Sequence, residues 1–236
     1  MQVLLVVVLS FGLGACMVIL LAMGVAQRRR RGLLAGLADR CGLRFAWRDP
    51  FGLIQRYGAC RLMQAGHSGY VDGVLHGQFR GWNVRMFDFH FEVGHGPRRL
   101  VRRCCMIASE LPCAVAPAFV WRGDADDKAL AAPLPSAHRL EGLWRGSGDV
   151  ALSRAICPAW GGQVRSVAIE CVGRLALFAT VDRLDGPARF AQLNAVVDCL
   201  EQLVRTRHCI SPESMLERMP TVEPPTPTRR SDQCIK

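Results

Sequence analysis

The chain opens with a long apolar run that ends in four arginines, VLLVVVLSFGLGACMVILLAMGVAQRRRR (residues 3–31). No charged side chain occurs among residues 3–26. As a helix these residues would extend about 36 Å, which exceeds the roughly 30 Å hydrocarbon core of a bilayer. A backbone in lipid must satisfy its own hydrogen bonds, so a lone spanning segment has to be helical. The sequence therefore predicts a transmembrane anchor over residues 1–27.

Two alternative interpretations involve cleavage of this segment. A secretory signal peptide would need a basic stretch before a shorter apolar core, and residues 1–2 supply no side-chain charge. A lipoprotein signal would use LGAC (residues 13–16), but the apolar run continues well beyond that cysteine. Both patterns are incomplete, so an uncleaved anchor is the favoured interpretation.

Arginine placement predicts the orientation of the anchor. Arg28, Arg29, Arg30 and Arg31 follow the apolar run, whereas no lysine or arginine precedes it. Cationic residues close to a membrane span stay on the cytoplasmic side. We therefore expect a protein of the inner (cytoplasmic) membrane with its N-terminus outside and its C-terminal domain in the cytoplasm. The basic collar of residues 28–31 is also expected to contact anionic headgroups at the membrane surface, which makes the lipid bilayer the first predicted partner.

Composition narrows the class of protein. The 236 residues are 50% hydrophobic and 21% charged, which excludes a wholly disordered chain and fits one domain plus an anchor. The net charge of +10 is partly concentrated in the collar, and only 7% of the residues are aromatic. Both properties argue against nucleic acid as a partner, because base-stacking binders need aromatic side chains.

The cysteines and glycines give no sign of a bound group. The eleven cysteines form no Cys-x-x-Cys pair, so their spacing argues against a structural zinc site. In a cytoplasmic domain they are expected to be reduced thiols that pack as small apolar side chains. The glycine-containing segment at residues 94–97 lacks the lysine and hydroxyl residue of a phosphate-binding loop. The sequence therefore predicts no cofactor.

Residues 32–219 are predicted to form a cytoplasmic α+β domain with a mainly antiparallel sheet and flanking helices. A helix over residues 33–41, capped by Gly42, can continue the membrane helix without a break. Six strands and a final amphipathic helix follow, the last two strands as a hairpin. Residues 123–138 are expected to be a surface loop, and the proline-rich residues 220–236 a disordered tail. The predicted strands are residues 70–79, 83–93, 100–108, 114–121, 164–171 and 174–181.

Several short motifs lie between residues 28 and 121. They are LAGLA (34–38), CGLRF (41–45), DPF (49–51), GH (66–67), VLHG (74–77), Gly81, VRMFDF (84–89), LP (111–112) and Pro117. Together with the preceding membrane helix and basic residues, they resemble a group of uncharacterised bacterial single-pass membrane-anchored proteins of unknown function. The resemblance implies this architecture and a membrane location, and it implies no activity.

Aromatic and ionisable residues alternate in the segment FDFHFE (residues 87–92). Side chains of a strand point alternately to its two faces, so the phenylalanines would lie on one face and Asp88, His90 and Glu92 on the other. A three-residue turn at residues 80–82 is predicted to precede this strand, because a two-residue turn would mix the apolar and ionisable faces.

That register places Asp72 opposite His90 and turns His76 to the same face. Five ionisable side chains would then form a candidate catalytic or metal site: Asp72, His76, Asp88, His90 and Glu92. Imidazoles and carboxylates on one face can bind a divalent cation or perform acid–base catalysis. Alternatively, the face is solvated, or it contains a simple Asp–His cross-strand pair.

The sequence leaves three hypotheses for the function. The leading one is a non-enzymatic, membrane-anchored cytoplasmic domain that binds a protein partner or the membrane surface. The alternative is a metal-dependent or acid–base enzyme that uses the ionisable face of the 70–93 hairpin. A third is a small-ligand sensor with a pocket between sheet and helix. The apolar run contains no Gly-x-x-x-Gly motif, so the oligomeric state is left undetermined.

Overall fold

A single long helix leads into the sheet domain. The computed structural model describes residues 2–122, 138–140, 143–154, 167–180, 184 and 186–205. Helix α1 (Gln2–Cys41) runs without a break through the apolar run and the basic collar. Gly42 ends it with a left-handed φ of 66°, which glycine adopts without a steric penalty. Within the described residues, α1 is the helix that is long and apolar enough to cross a membrane.

An antiparallel sheet follows α1. Its strands are β1 (Arg44–Arg48), β2 (His67–Phe79), β3 (Trp82–Val93), β4 (Leu100–Arg122), β5 (His138–Arg139), β6 (Trp144–Gly148) and β7 (Val167–Thr180). Neighbouring strands follow the order β1-β2-β3-β4-β6-β5, and β7 also pairs with β4. Helix α2 (Leu53–Arg56) and a 3-10 helix (Arg61–Gln64) lie between β1 and β2, and α3 (Gly186–Arg205) follows β7. The predicted α+β class, with an antiparallel sheet and flanking helices, is confirmed.

The sheet separates two apolar layers. On one side, called the helix face here, the end of α1 and helix α3 pack against side chains such as Leu75 and Met86. On the other side, the aromatic face, α2 and the 3-10 helix cover Phe87 and Phe89. Each fully buried side chain of this size contributes about 1.5–3 kcal/mol, so both layers stabilise the fold.

Two breaks that the sequence predicts are wrong for a shared reason. β4 continues through residues 109–113 and β7 continues through Gly173, where the pattern predicts a gap and a hairpin turn. The two positions lie opposite each other: Glu110 pairs with Leu175 and Val115 with Gly173, so β4 advances five residues while β7 advances two. β4 is therefore irregular at this point, and Pro112 in β4 and Gly173 in β7 are residue types that also occur in turns.

Other predicted segments differ in outcome. β1, β5 and β6 are not predicted, since strands of two to five residues show little periodicity. The predicted disordered tail, residues 220–236, lies outside the described residues, as does the predicted loop except for His138, which belongs to β5.

The cysteines follow the prediction only in part. Cys104 and Cys105 are almost fully buried, and burial raises the pKa of their thiols to about 12 and about 11. They therefore pack as small apolar side chains. Cys113 is disulfide-bonded, so the prediction that every cysteine is reduced is wrong at this residue.

Candidate functional site at the junction of the long helix and the sheet

The turn between β2 and β3 is shorter than predicted. Arg80 and Gly81 form a two-residue turn with φ values of 51° and 83°, and Phe79 pairs with Trp82. Positive φ at both central residues is typical of the type I′ turn that matches the twist of a hairpin. This shorter turn moves His76 opposite Arg85, and therefore to the aromatic face.

A bulge in β2 then brings two carboxylates together on the helix face. Between residues 72 and 75, β2 advances one residue more than β3, and Asp72 pairs directly with Asp88. Gly73 lies in this bulge with a left-handed φ of 62°. A Cβ atom at Gly73 would lie only 3.0 Å from Cδ1 of Leu34, so glycine also allows α1 to approach the sheet closely.

Asp88 is the centre of the site. It is fully buried, and arginines from three different elements bind its carboxylate. Arg189 of α3 donates from Nη2 to both oxygens at 2.7 and 2.8 Å. Arg30 of α1 and Arg103 of β4 each donate from Nη2 to Oδ2 at 2.6 Å. Arg30 also donates to both oxygens of Asp72, at 2.8 and 3.3 Å. These five residues are called the Asp88 cluster below.

The arginines keep both carboxylates of the cluster ionised. Burial alone would raise the pKa of Asp88, but the charges of Arg189 and Arg103 outweigh it and hold that pKa below its usual value. Burial also opposes ionisation of Asp72, and contacts with His90 and Arg30 again lower its pKa. Removing one partner from a buried ion pair of this kind is strongly destabilising.

His90 joins the cluster at its edge. Its Nε2 lies 3.2 Å from Oδ1 of Asp72, and the ring of Tyr70 stacks on it with centroids 4.4 Å apart. The contact is diagonal, because Tyr70 is the residue directly opposite His90. His90 is only 8% exposed, so the alternative prediction of a solvated face is wrong: α1 and α3 cover this face.

Two of the predicted site residues lie elsewhere. His76 packs edge-on against Phe51, with ring centroids 4.8 Å apart, and burial together with two nearby arginines lowers its pKa. Glu92 accepts a hydrogen bond from Arg99, which lowers the pKa of its carboxyl group. Of the five predicted residues, the structure therefore brings together Asp72, Asp88 and His90.

Sequence reasoning misses the part that the arginines play in this site. Arg103 alternates with the buried residues Cys105 and Ile107 along β4, and Arg189 is 2% exposed within the apolar side of α3. The available signal is an arginine at a position that the apolar periodicity assigns to the core. Periodicity alone does not show which carboxylate such an arginine meets.

The four arginines of the basic collar differ in their contacts, and two of them contact the domain. Arg30 binds the two aspartates, and the guanidinium of Arg31 lies 4.3 Å from the ring centroid of Trp47. Arg28 and Arg29 are exposed. The predicted contact of the collar with lipid headgroups stays a prediction for all four arginines.

The geometry favours charge pairing over catalysis or metal binding. Both oxygens of Asp88 and both oxygens of Asp72 accept hydrogen bonds from arginine. A carboxylate with a lowered pKa is a weak general base. Among the described residues, no group of three or more His, Cys, Asp or Glu side chains could hold a metal ion.

The fold has a counterpart among solved structures. The chain is similar to the mycobacterial trehalose monomycolate transport factor A, TtfA, with a TM-score of 0.54 and 14% sequence identity. The match covers 76% of this chain and 96% of that one. At this identity the likeness shows a shared fold. No family model and no curated protein matches the chain, so the resemblance to uncharacterised bacterial membrane proteins stays a prediction.

Proposed function

We propose that the chain is a single-pass protein of the inner membrane whose cytoplasmic domain is held rigidly at the membrane surface and binds a protein partner there. The domain comprises residues 32–219, and it acts by binding and not by catalysis. The observation that carries the proposal is that one helix, α1, is both the predicted anchor and an element of the domain core.

The attachment of α1 to the domain is both apolar and ionic. Leu34, Leu37 and Ala38 are at most 4% exposed and pack in the helix-face layer. Arg30 follows the apolar run by about 6 Å of helix and binds two carboxylates of the sheet. Tilting the domain away from α1 would break these pairs and expose the apolar side chains to water, and both changes cost free energy. A domain fixed in this way presents the same surface at the same height to a partner in the membrane.

The path of α1 supports a choice of which end of the β2–β3 hairpin faces the membrane. Leu43, just after α1, lies beside Gly77, and Leu34 lies beside Gly73. Followed towards its N-terminus, α1 therefore passes along β2 towards the first residue of that strand. His67 begins β2 and pairs with Glu92 near the end of β3, so the β3–β4 connection lies at the same end of the sheet, which the proposal puts next to the membrane.

The β3–β4 connection and the first residues of β4 carry side chains suited to a bilayer surface. Leu100 and Val101 are 57% and 65% exposed, and the neighbouring Arg98 and Arg99 are exposed too. Apolar side chains beside arginines favour the interface of an anionic membrane. Together with the collar, they would support the domain at the surface while its other sides remain open to a partner.

The structural neighbour supports a role in binding. TtfA is named as a transport factor, and a shared fold allows a shared role without demonstrating it. By this analogy, we propose that the partner is a protein that works in transport at the same membrane.

Photo-crosslinking in native membranes tests the proposal. A photoreactive amino acid at an exposed position of the full-length chain, such as Val150 or Phe190, is expected to form a discrete adduct with one membrane protein. A flexible Gly/Ser insertion after Gln27 should abolish the adduct because it uncouples the domain from the anchor. The same insertion after Pro220 serves as the control. An adduct that survives the first insertion, or no adduct at any exposed position, would contradict the proposal.

The orientation needs its own test. A reporter that is active on only one side of the membrane, fused after Lys236, is expected to read out in the cytoplasm. Disulfides such as that of Cys113 are more usual in oxidising compartments, so the result also tells whether this bond lies in a reducing or an oxidising compartment. A readout outside would overturn the orientation and move the search for partners to the envelope.

A further inference from the structure

A cavity of about 260 Å³ lies beside the Asp88 cluster, between α1, β4 and α3. Its lining combines two kinds of side chain. Three of the lining residues are the arginines Arg30, Arg103 and Arg189, and three are the leucines Leu33, Leu34 and Leu184. A pocket lined by both cationic and aliphatic residues fits a ligand with both characters.

Counted over its five described residues, the cluster that borders this cavity has a net charge of +1. Three guanidinium groups face two carboxylates, those of Asp72 and Asp88. One further anion would balance the charges. Arginine is well suited to bind such a group, since its planar donors match the oxygens of a phosphate or carboxylate.

Two arginines of the cluster also have unused hydrogen-bond donors. Arg189 is 2% exposed; its Nη2 binds Asp88 and its Nε donates to the carbonyl oxygen of Leu184. Its Nη1 is buried and has no hydrogen-bond partner within the described part of the chain, and the same holds for Nε of Arg30. Because both donors are buried, an anion in the cavity reaches them only if the arginine side chains turn towards it, and it would then relieve the cost of an unpaired donor on a cation.

The position of the cavity connects it with the membrane. Arg30 and Leu33 follow the apolar run of α1 by one to two helical turns, so the cavity lies near the depth of lipid headgroups. We propose that the cavity binds an anionic lipid. The anionic headgroup would contact the arginines, and the first methylene groups of the acyl chains would contact the leucines. This binding does not depend on a protein partner.

Thermal unfolding of the full-length chain in neutral detergent tests the proposal. Short-chain phosphatidylglycerol is the probe. Short-chain phosphatidylcholine controls for binding through the acyl chains alone, and inorganic phosphate controls for binding of the anion alone. Because a ligand that binds only the folded state stabilises it, saturating phosphatidylglycerol should raise Tm by about 5 °C or more. The two controls are expected to raise it by less than about 1 °C. An equal rise with phosphatidylcholine or with phosphate alone, or no rise with phosphatidylglycerol, would overturn the proposal.

Two variants locate the effect. Leu33→Glu places a negative charge at the cavity lining from a residue that is 65% exposed, and it should weaken phosphatidylglycerol binding at least tenfold. Leu143→Glu, at a residue 56% exposed outside the cavity lining, is the matched control and should bind normally. Equal binding by both variants would remove the site from this cavity.

Gly186→Glu provides a second variant whose expected result differs from misfolding. Gly186 also lines the cavity, and a Cβ atom there would make only an ordinary contact, 3.7 Å from Nη2 of Arg40. The new carboxylate should take the place of the lipid anion, and an acid at a helix N-terminus is favourable in itself. Tm without lipid should therefore rise, and the response to phosphatidylglycerol should disappear. A lipid response of normal size in this variant would contradict the proposal.

Discussion

The two faces of β3 hold the domain together in different ways. On the aromatic face, Phe87, Phe89 and Phe91 are at most 1% exposed and contact one another and their neighbours through apolar surface. On the helix face, the intervening Asp88 is equally buried but is held by three arginines. Apolar contacts are non-directional, whereas guanidinium–carboxylate pairs fix both distance and direction. The aromatic face therefore supplies stability, and the helix face determines where α1 enters the domain.

Removing the charge of Asp88 is expected to have the largest effect. Asp88→Asn leaves Arg103 and Arg189 without the carboxylate that they bind, and Arg30 keeps only Asp72, so we expect a cost of about 3–5 kcal/mol. On the opposite face, Phe87→Leu should cost only about 1–2 kcal/mol, because part of the apolar contact remains. Denaturant unfolding of the full-length chain in detergent measures both free energies. The control is Asp39→Asn on the exposed side of α1, and equal losses for the Asp88 and Phe87 variants would remove the distinction between the faces.

The aromatic face is the part of this comparison that the sequence predicts well. Alternation over residues 87–92 is a local pattern, and the structure confirms that the phenylalanines share one face and that Asp88 and His90 share the other. The apolar run and the glycine at residue 42 are local signals in the same sense, and they give the long helix and its end.

The helix face could be predicted only in part because its partners are distant in the chain. Asp88 is separated from Arg30 by 58 residues and from Arg189 by 101. Only the folded topology brings these residues together, and the periodicity of the sequence does not show that they meet. The register of β2 likewise depends on a bulge at Gly73 that a regular strand pattern does not contain.

Gly73→Ala tests whether that bulge sets the position of α1. The new methyl group would lie 3.0 Å from Cδ1 of Leu34 and 3.5 Å from Oδ2 of Asp88, at a φ of 62° that alanine adopts poorly. We expect a loss of about 2–3 kcal/mol and faster tryptic cleavage in the collar as α1 separates from the sheet. Gly36→Ala, which meets no atom within 4 Å, is the control and should be neutral or stabilising. Unchanged stability and unchanged cleavage would show that the bulge tolerates a side chain.

Acid should weaken the helix face before the aromatic face. The pKa values of Asp72 and Asp88 lie below their usual range, so their ionised forms stabilise the fold above a pH of about 3.9. That stability is lost as the pH falls through the lowered values. Glu170 acts in the opposite sense, because burial raises its pKa despite hydrogen bonds from two backbone N–H groups. The contribution of Glu170 to the stability of the fold therefore becomes more favourable as the pH falls through that raised pKa.

A Tm titration from about pH 6 down to about pH 2 separates these contributions. The wild-type chain should lose stability most steeply below pH ~4, and Asp88→Asn should lose less over the same range. Glu170→Gln serves as the comparison and should keep the steep decline at low pH. The same slope for the wild-type chain and the Asp88 variant would show that the acid response does not come from the Asp88 cluster.

The smallest effect is expected from an ion pair of the same chemistry that lies in solvent. Arg80 in the β2–β3 turn donates to Asp198 at 2.7 Å and to Glu201 at 3.0 Å, so it also joins α3 to the sheet. Its side chain is 39% exposed, and water and salt weaken exposed pairs. Arg80→Ala should change Tm by no more than about 2 °C, and the change should vanish in high salt. A loss of stability as large as that of Asp88→Asn would mean that the turn, and not the buried cluster, positions α3. The difference between exposed and buried ion pairs would then not explain the stability of the fold.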